Sequence, residues 1–325
     1  MQEKPEENDN EYLLEERKNI LKIISTEIKK NISSIKRIIY TTQANFGNIL
    51  ICLNKIIFFC EILGCKVISL QKNNFWFLKN VVFLKDLNIT IDLIDENQVK
   101  NFENKKFFDS DTIILDYYNI IIYFYKIKSK IRIHLFKDEI LKNLPITNSS
   151  KRDLYIHIRS GDIFNNNTHK PYAQPPLCFY ESIFQNFFFD KIYLISQDKS
   201  NPVIDKLLTK FKNIIYSNNN LEFDLSCLIN SYNLVASISS FLNTIIILNS
   251  KLENLWEYNI YQIFEKAVQY HYDLYEFPNN FTIFRMDASK RYKQKMYIWR
   301  NNKIQRKLMI KEKCINLFMI VRNRN

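Results

Sequence analysis

Residues 157–162 read His-Ile-Arg-Ser-Gly-Asp, a run whose side chains suit anion chemistry. Arg159 offers a planar fork of donors that matches two oxygens of a phosphate. Gly161 permits a tight turn and close approach of backbone to ligand. The chain holds only 3 glycines, so this one is placed selectively. Asp162 either braces the turn by pairing with Arg159 or takes a proton. His157 is a second base candidate, or a hydrogen-bonded core histidine. Further along, Gln197-Asp198 adds a carboxylate and Ser237-Ile238-Ser239-Ser240-Phe241 adds hydroxyls. Ser239 and Ser240 stand at a helix start, where free N–H groups favour an anion, or they simply cap that helix.

These residues need a frame that gathers them. Beyond 151, apolar runs of strand length alternate with helical patterns. The spacing predicts strands at 154–159, 191–197, 214–217, 233–239 and 253–258. Helices are predicted at 176–189, 201–212, 222–231 and 241–250. Such βαβ alternation gives a parallel sheet, and ligands bind outside the carboxyl ends of its strands. On that rule Arg159, Asp198 and Ser239 converge on one crevice. Upstream, "IIYTTQANFGN" reads as a strand, a loop holding Gly47 and a helix start; Gly64 then ends a buried helix before the strand "CKVISL".

The 325 residues are 46% hydrophobic and 25% charged, enough for sizeable cores in a globular protein. The expected organisation is a polar lead-in at 1–30, an N-terminal domain at 31–150, a Rossmann-like domain at 151–260 and an aromatic, then basic, helical tail at 261–325. Of the net charge of +12, the stretch 290–325 carries +11, from 12 Lys and Arg against Glu312. The rest of the chain is near neutral, which excludes a general nucleic-acid-binding body. The tail is read as a helix packed on the N-terminal domain with a solvated basic face; an anionic membrane surface is its alternative partner. The six cysteines form no CxxC pair and read as buried free thiols. The acidic start is unlike a signal peptide, and no apolar run is long enough for a transmembrane helix. A cytoplasmic or peripheral location follows as the expectation.

Two further motifs invite chemistry. Asp109-Ser110-Asp111 is a DxD triplet that could hold a divalent cation, but a polar turn before "TIILDYY" explains it, and no metal is expected. "THKPYAQPPLCFY" gathers three of the seven prolines, at Pro171, Pro175 and Pro176. It reads as a rigid lip with Tyr172 and Gln174 as ligand contacts, or as a helix entry. His169 in the same stretch is a third base candidate.

"HIRSGD" resembles the His-x-Arg-x-Gly-Asp signature of the α1,2-fucosyltransferase-like superfamily of GT-B glycosyltransferases. "QANFGNILICLNKIIFFCEILGCKV" at 43–67 is similar to that family's N-terminal Gly-x-Gly-Asn-type loop and helix, and "DLSCLINSYNLVASISSF" at 224–241 to its C-terminal segment. The Gln-Pro-Pro-Leu stretch looks like an extension found in a less characterised branch. The resemblance covers roughly 40–260. It implies a GT-B-like α/β fold, two Rossmann-like domains facing a cleft, with a parallel sheet in the C-terminal one. It implies metal-independent, inverting transfer of a sugar, fucose from GDP-fucose by precedent, to a glycan hydroxyl. Arg159 would hold the donor β-phosphate. Ser239, Ser240 and Phe241 would line the phosphate and nucleoside pocket, Asp198 or Asp224 would bond the base or ribose, and Gly47 and Asn48 would close the diphosphate side. Ser160 departs from the second arginine that many members carry. Two other readings stand beside this one: a non-catalytic carbohydrate- or nucleotide-binding relative, and a peripheral membrane or nucleic-acid-associated protein acting through its tail.

Overall fold

The computed structural model describes residues 18, 35–41, 46–72, 78, 81–95, 97–98, 108–109, 112–115, 133–165, 172–217, 219–260, 281–314 and 318–322. The chain divides into two compact units, Met1–Asn143 and Leu144–Asn325.

In the first unit, β1 (Arg37–Tyr40), α1 (Phe46–Leu63) and β2 (Val67–Gln71) form a parallel strand–helix–strand element. Leu50, Leu53, Ile57 and Cys60 of α1 are fully or almost fully buried, which is what its apolar sequence predicts. Gly64, at φ +71°, lets the chain leave α1 while Cys65 N–H reaches the Cys60 carbonyl at 2.9 Å. Gly47 was expected in a loop; it lies in the first turn of α1. β3 (Val82–Leu84), β4 (Ile89–Ile94), β5 (Phe108–Asp109) and β6 (Thr112–Leu115) complete a sheet of order β3-β4-β2-β1-β6-β5. Its two edges are antiparallel and its centre is parallel. A short helix, α2 (Lys137–Lys142), closes the unit.

The second unit begins with β7 (Asp153–His157), α3 (Leu177–Asn186), β8 (Lys191–Ile195), α4 (Pro202–Lys210) and β9 (Ile214–Ser217). It continues with α5 (Leu221–Ile229), β10 (Asn233–Val235), α6 (Ser240–Leu248) and β11 (Asn254–Asn259). Every residue of β7 is buried, the mark of a central strand covered on both faces. α4 and α5 start on side-chain caps: Asn201 accepts from Val203 N–H ahead of Pro202, and Asn220 accepts from Phe223 N–H. Each such cap contributes about 1 kcal/mol.

Two expectations fail beyond 260. The tail is not simply helical: it supplies β12 (Thr282–Asp287) and β13 (Met319–Arg322) as well as α7 (Lys290–Met296) and α8 (Lys303–Lys311). β11 would otherwise be an open sheet edge; β12 pairs with it in parallel and β13 pairs antiparallel to β12. The sheet order is β13-β12-β11-β10-β7-β8-β9. Counted from β7, that is the doubly wound order 3-2-1-4-5-6 with one added antiparallel edge strand. α8 packs against α3 and α4 of this same unit. The second failure is the thiols: Cys178, opening α3, and Cys314, after α8, form a disulfide. The two are 136 residues apart, a separation at which no spacing rule signals pairing. Cys52, Cys60 and Cys65 are buried free thiols, and Cys227 is half-buried. Among the described residues no helix is long and apolar enough to cross a membrane.

The disulfide ties the C-terminal segment to α3 and closes a long loop of chain. Cys314→Ala is expected to lower the unfolding free energy by about 2–4 kcal/mol. Urea denaturation of the oxidised proteins measures this, and unchanged midpoints for the variant would contradict it.

Candidate functional site at the switch point of the second sheet

The strand order reverses between β7 and β10, which pair in parallel from Asn233↔Leu154 to Val235↔Ile156. At such a point the connections leave for opposite faces and open a crevice at the carboxyl ends. β7 ends at His157 and β10 at Val235, earlier than the sequence patterns suggested. The residues of interest therefore lie in the loops just past the strands.

His157 is buried and bridges the two strand ends, its Nδ1 2.6 Å from Ser237 Oγ. Its ring lies 5.2 Å from that of Phe241. Burial first, then the neighbouring Arg159 charge, push its pKa down to about 3. It is therefore a neutral imidazole near pH 7, holding the crevice together.

The turn after it is fixed by Asp198. Its Oδ1 accepts from Ser160 Oγ at 2.5 Å, Ser200 N–H at 2.8 Å and Gly161 N–H at 3.1 Å. Burial alone would raise this carboxyl's pKa, but the bonds from Ser160, Ser200 and Gly161 hold it below the ordinary value. Asp198 or Asp224 was expected to contact the base or ribose; Oδ1 of Asp198 is engaged by the turn. Asn201 joins the network, donating its amide to the Arg159 carbonyl at 3.0 Å while its N–H donates to Ser160 Oγ at 3.0 Å. Gly161 adopts φ +67°, and a Cβ there would lie 2.3 Å from Gln197 Oε1. The glycine is thus favoured by the left-handed backbone, while the Gln197 side-chain end could swing aside.

Out of this turn comes Arg159, its side chain 18% exposed. One terminal nitrogen, Nη2, donates to both Asp162 oxygens, at 2.7 and 2.8 Å. Its Nε is buried with no partner. The bracing pair anticipated as the plainer option is therefore present, and it leaves a buried donor unspent. Asp162 is half-exposed and also accepts from Ile163 N–H.

Ser239 is the N-cap of α6, accepting from Phe241 N–H at 3.2 Å. Ser240 is the first residue of that helix. Gln174, expected to touch a ligand, is completely buried. Its amide donates to the carbonyls of Tyr172 and Ile238, so it braces the Ser237–Ser239 loop instead. Tyr172 is half-buried against the core.

A pocket of about 390 Å³ opens beside this crevice. Tyr155, Tyr193, Tyr216 and Phe223 line it, with Asn148 and Asn219 at hand. Tyr155 and Tyr193 are register partners with rings stacked at 4.9 Å. Tyr155 and His157 alternate onto the same sheet face. His157, Ile195 and Ser217 form one row across three strands. At about 4.8 Å per strand, the pocket's Ser217 rim lies about 10 Å from His157. Asp224 of α5 accepts from that serine at 3.1 Å, and burial lifts its pKa to about 6 against the opposing effect of the bond.

Gly47 and Asn48 belong to the first unit, in the first turn of α1. Asp109 is on β5; Ser110, Asp111 and His169 lie outside the described residues. Among the described residues, no three His, Cys, Asp or Glu gather as a metal site. Sequence reasoning gave no structural role to Ser160 or Asn201, and it grouped Ser237 with the crevice hydroxyls without seeing it as the partner of His157. The signal for Asn201 was its place as a helix cap ahead of Pro202.

No protein-family model and no curated protein matches the chain. Among solved structures it is similar to NodZ alpha-1,6-fucosyltransferase, in a crystal soaked with GDP-fucose, at 11% identity and a TM-score of 0.32, over 77% of this chain and 95% of that one. A likeness that slight carries no argument, so the chain's own residues must.

Proposed function

We propose that the chain is a glycosyltransferase of GT-B type whose second unit binds a nucleotide-sugar donor, with GDP-fucose as the donor and a glycan hydroxyl as the acceptor. The observation that carries this reading is Arg159. Its unpaired, buried Nε lies two residues past β7 at the switch point of a doubly wound sheet, where the neighbouring His157 ring is 5.2 Å from that of Phe241 in the first turn of α6. A buried donor without an acceptor is costly, and a phosphate oxygen would satisfy it. The α6 N-terminus adds N–H groups and a favourable dipole for the same anion.

In this reading the diphosphate lies against Arg159 and the start of α6, and the base enters the tyrosine-lined pocket, with Asp224 accepting from its N–H edge. The acceptor hydroxyl attacks the anomeric carbon from the face opposite the diphosphate and releases its proton to water. The bond to the diphosphate breaks, and the charge that grows there is held by Arg159. Asp162 is within 2.8 Å of the Arg159 guanidinium, hence on the leaving-group side. An inverting displacement needs its base on the other side, so Asp162 serves as brace and not as base. His157, neutral and tied to Ser237, is likewise a strut.

The Arg159–Asp162 pair favours one second reading, a binding relative without turnover, because it already engages part of the guanidinium. Release of free GDP from GDP-fucose without acceptor separates the two: a transferase leaks it slowly, a binding module does not.

Arg159→Ala is expected to leave the fold intact, to lower transfer by about 10²–10³-fold and to weaken GDP binding in parallel. Normal turnover and GDP affinity in a folded variant would end this reading. The Asp224 carboxyl, with its pKa lifted to about 6, accepts well only above that pH. GDP affinity is therefore expected to fall as pH drops through 6, approaching tenfold per pH unit below it, and Asp224→Asn should flatten the profile. Calorimetric titration between pH 4.5 and 8 reads this; identical profiles for both proteins would refute the assignment to Asp224.

A further inference from the structure

The basic segment beyond 290 has no part in the reaction just described, yet its side chains converge on the turn that carries Asp162. That turn runs Gly161–Phe164 as a 3-10 helix. Trp299 Nε1 donates to the Ile163 carbonyl at 2.7 Å. The Asn301 amide donates to the Phe164 carbonyl. Arg306 Nη2 reaches the same carbonyl at 3.4 Å, and its guanidinium lies 5.3 Å from the centre of the Phe164 ring.

The clamp is itself held. Arg306 Nε donates to Asn301 Oδ1 at 2.7 Å, fixing which way the amide points. Asn301 occupies a left-handed conformation, φ +50°, that turns its side chain out of the α7–α8 connection. Gln305, almost fully buried, ties that connection through the carbonyls of Lys295 and Ile298 and the N–H of Arg300. Tyr292 of α7 donates to the Gln174 carbonyl at 2.7 Å, and Gln174 holds the Ile238 carbonyl in the other loop of the crevice.

We infer that Asn301 and Arg306 are positioning residues: they fix the carbonyl end of the 161–164 turn, which sets Asp162 and through it the Arg159 guanidinium that receives the diphosphate. The inference rests on the proposed donor site. It gives the segment a task inside its own unit, where its cations and amides address backbone carbonyls. Asn301 and Arg306 bond the end of the turn and each other, so their effect on Arg159 passes through the turn.

The test uses the full chain with GDP as probe, for the wild type, Arg159→Ala, Arg306→Ala, Asn301→Gly and the double variant Arg159→Ala/Arg306→Ala. Asn301→Gly removes the amide while keeping the left-handed backbone accessible, so it answers even where Arg306→Ala folds poorly. Arg306→Ala and Asn301→Gly are each expected to weaken GDP about tenfold. Arg306→Ala should have no further effect once Arg159 is absent. Should Arg159→Ala bind GDP normally, the donor site itself is wrong. If Arg159→Ala weakens GDP and the two clamp variants bind like wild type, this inference is overturned and the donor site stands. Equal losses from Arg306→Ala with and without Arg159 would overturn it too, since that is the mark of a merely structural role.

Discussion

The site depends on one carboxylate oxygen. Asp198 Oδ1 draws in three donors from two loops, and the chain leaving β7 has to fold around it. A partly buried charge must be compensated, and here the compensation is backbone N–H groups and a serine hydroxyl rather than a cation. Those bonds turn the backbone at Gly161 into the left-handed region, where any side chain would be strained and would meet Gln197. The turn then points Arg159 into the crevice. Ser160, where an arginine stands in many members of the family it resembles, is occupied in this network and is only 1% exposed.

Around that turn the unit is bound together by polar struts that link elements far apart in sequence. His157 joins the ends of β7 and β10, Gln174 reaches the loop before α6, and Trp299 and Asn301 hold the turn from behind. Each buried polar group so used would cost free energy if left alone. Together they make the crevice a rigid surface, and preorganised donors are what developing charge on a leaving group requires. Two buried atoms of this frame are left without a partner, the Nε of Arg159 and the Oε1 of Gln174.

Much of the second unit was legible because local and global signals agree there. β7 is buried throughout since it is central, with an apolar Leu154–Ile156 middle, and Asn201, Asn220 and Ser239 announce the helices they cap. The strand ends were placed two to four residues late, because Ile158 and Ala236–Ile238 continue an apolar pattern after the ladder stops. β12 and β13 were missed because both are short and weakly patterned: β12 buries only Ile283 and Met286 and carries Arg285 and Asp287, and β13 is a four-residue edge strand. Gln174 and Asp198 were read as ligand contacts because polar residues near a site look like such contacts; only the fold shows that Gln174 is sealed inside and that Oδ1 of Asp198 holds the turn. The pairing of Cys178 with Cys314 is a fact of tertiary structure with no local trace.

The account comes down to where a diphosphate would lie. A crystal structure of the chain with GDP tests this most directly. The account predicts a β-phosphate oxygen within hydrogen-bond distance of Arg159 Nε, the start of α6 facing the same group, and the base between Tyr155 and Phe223. GDP bound away from Arg159, with Nε still unpaired, would contradict it.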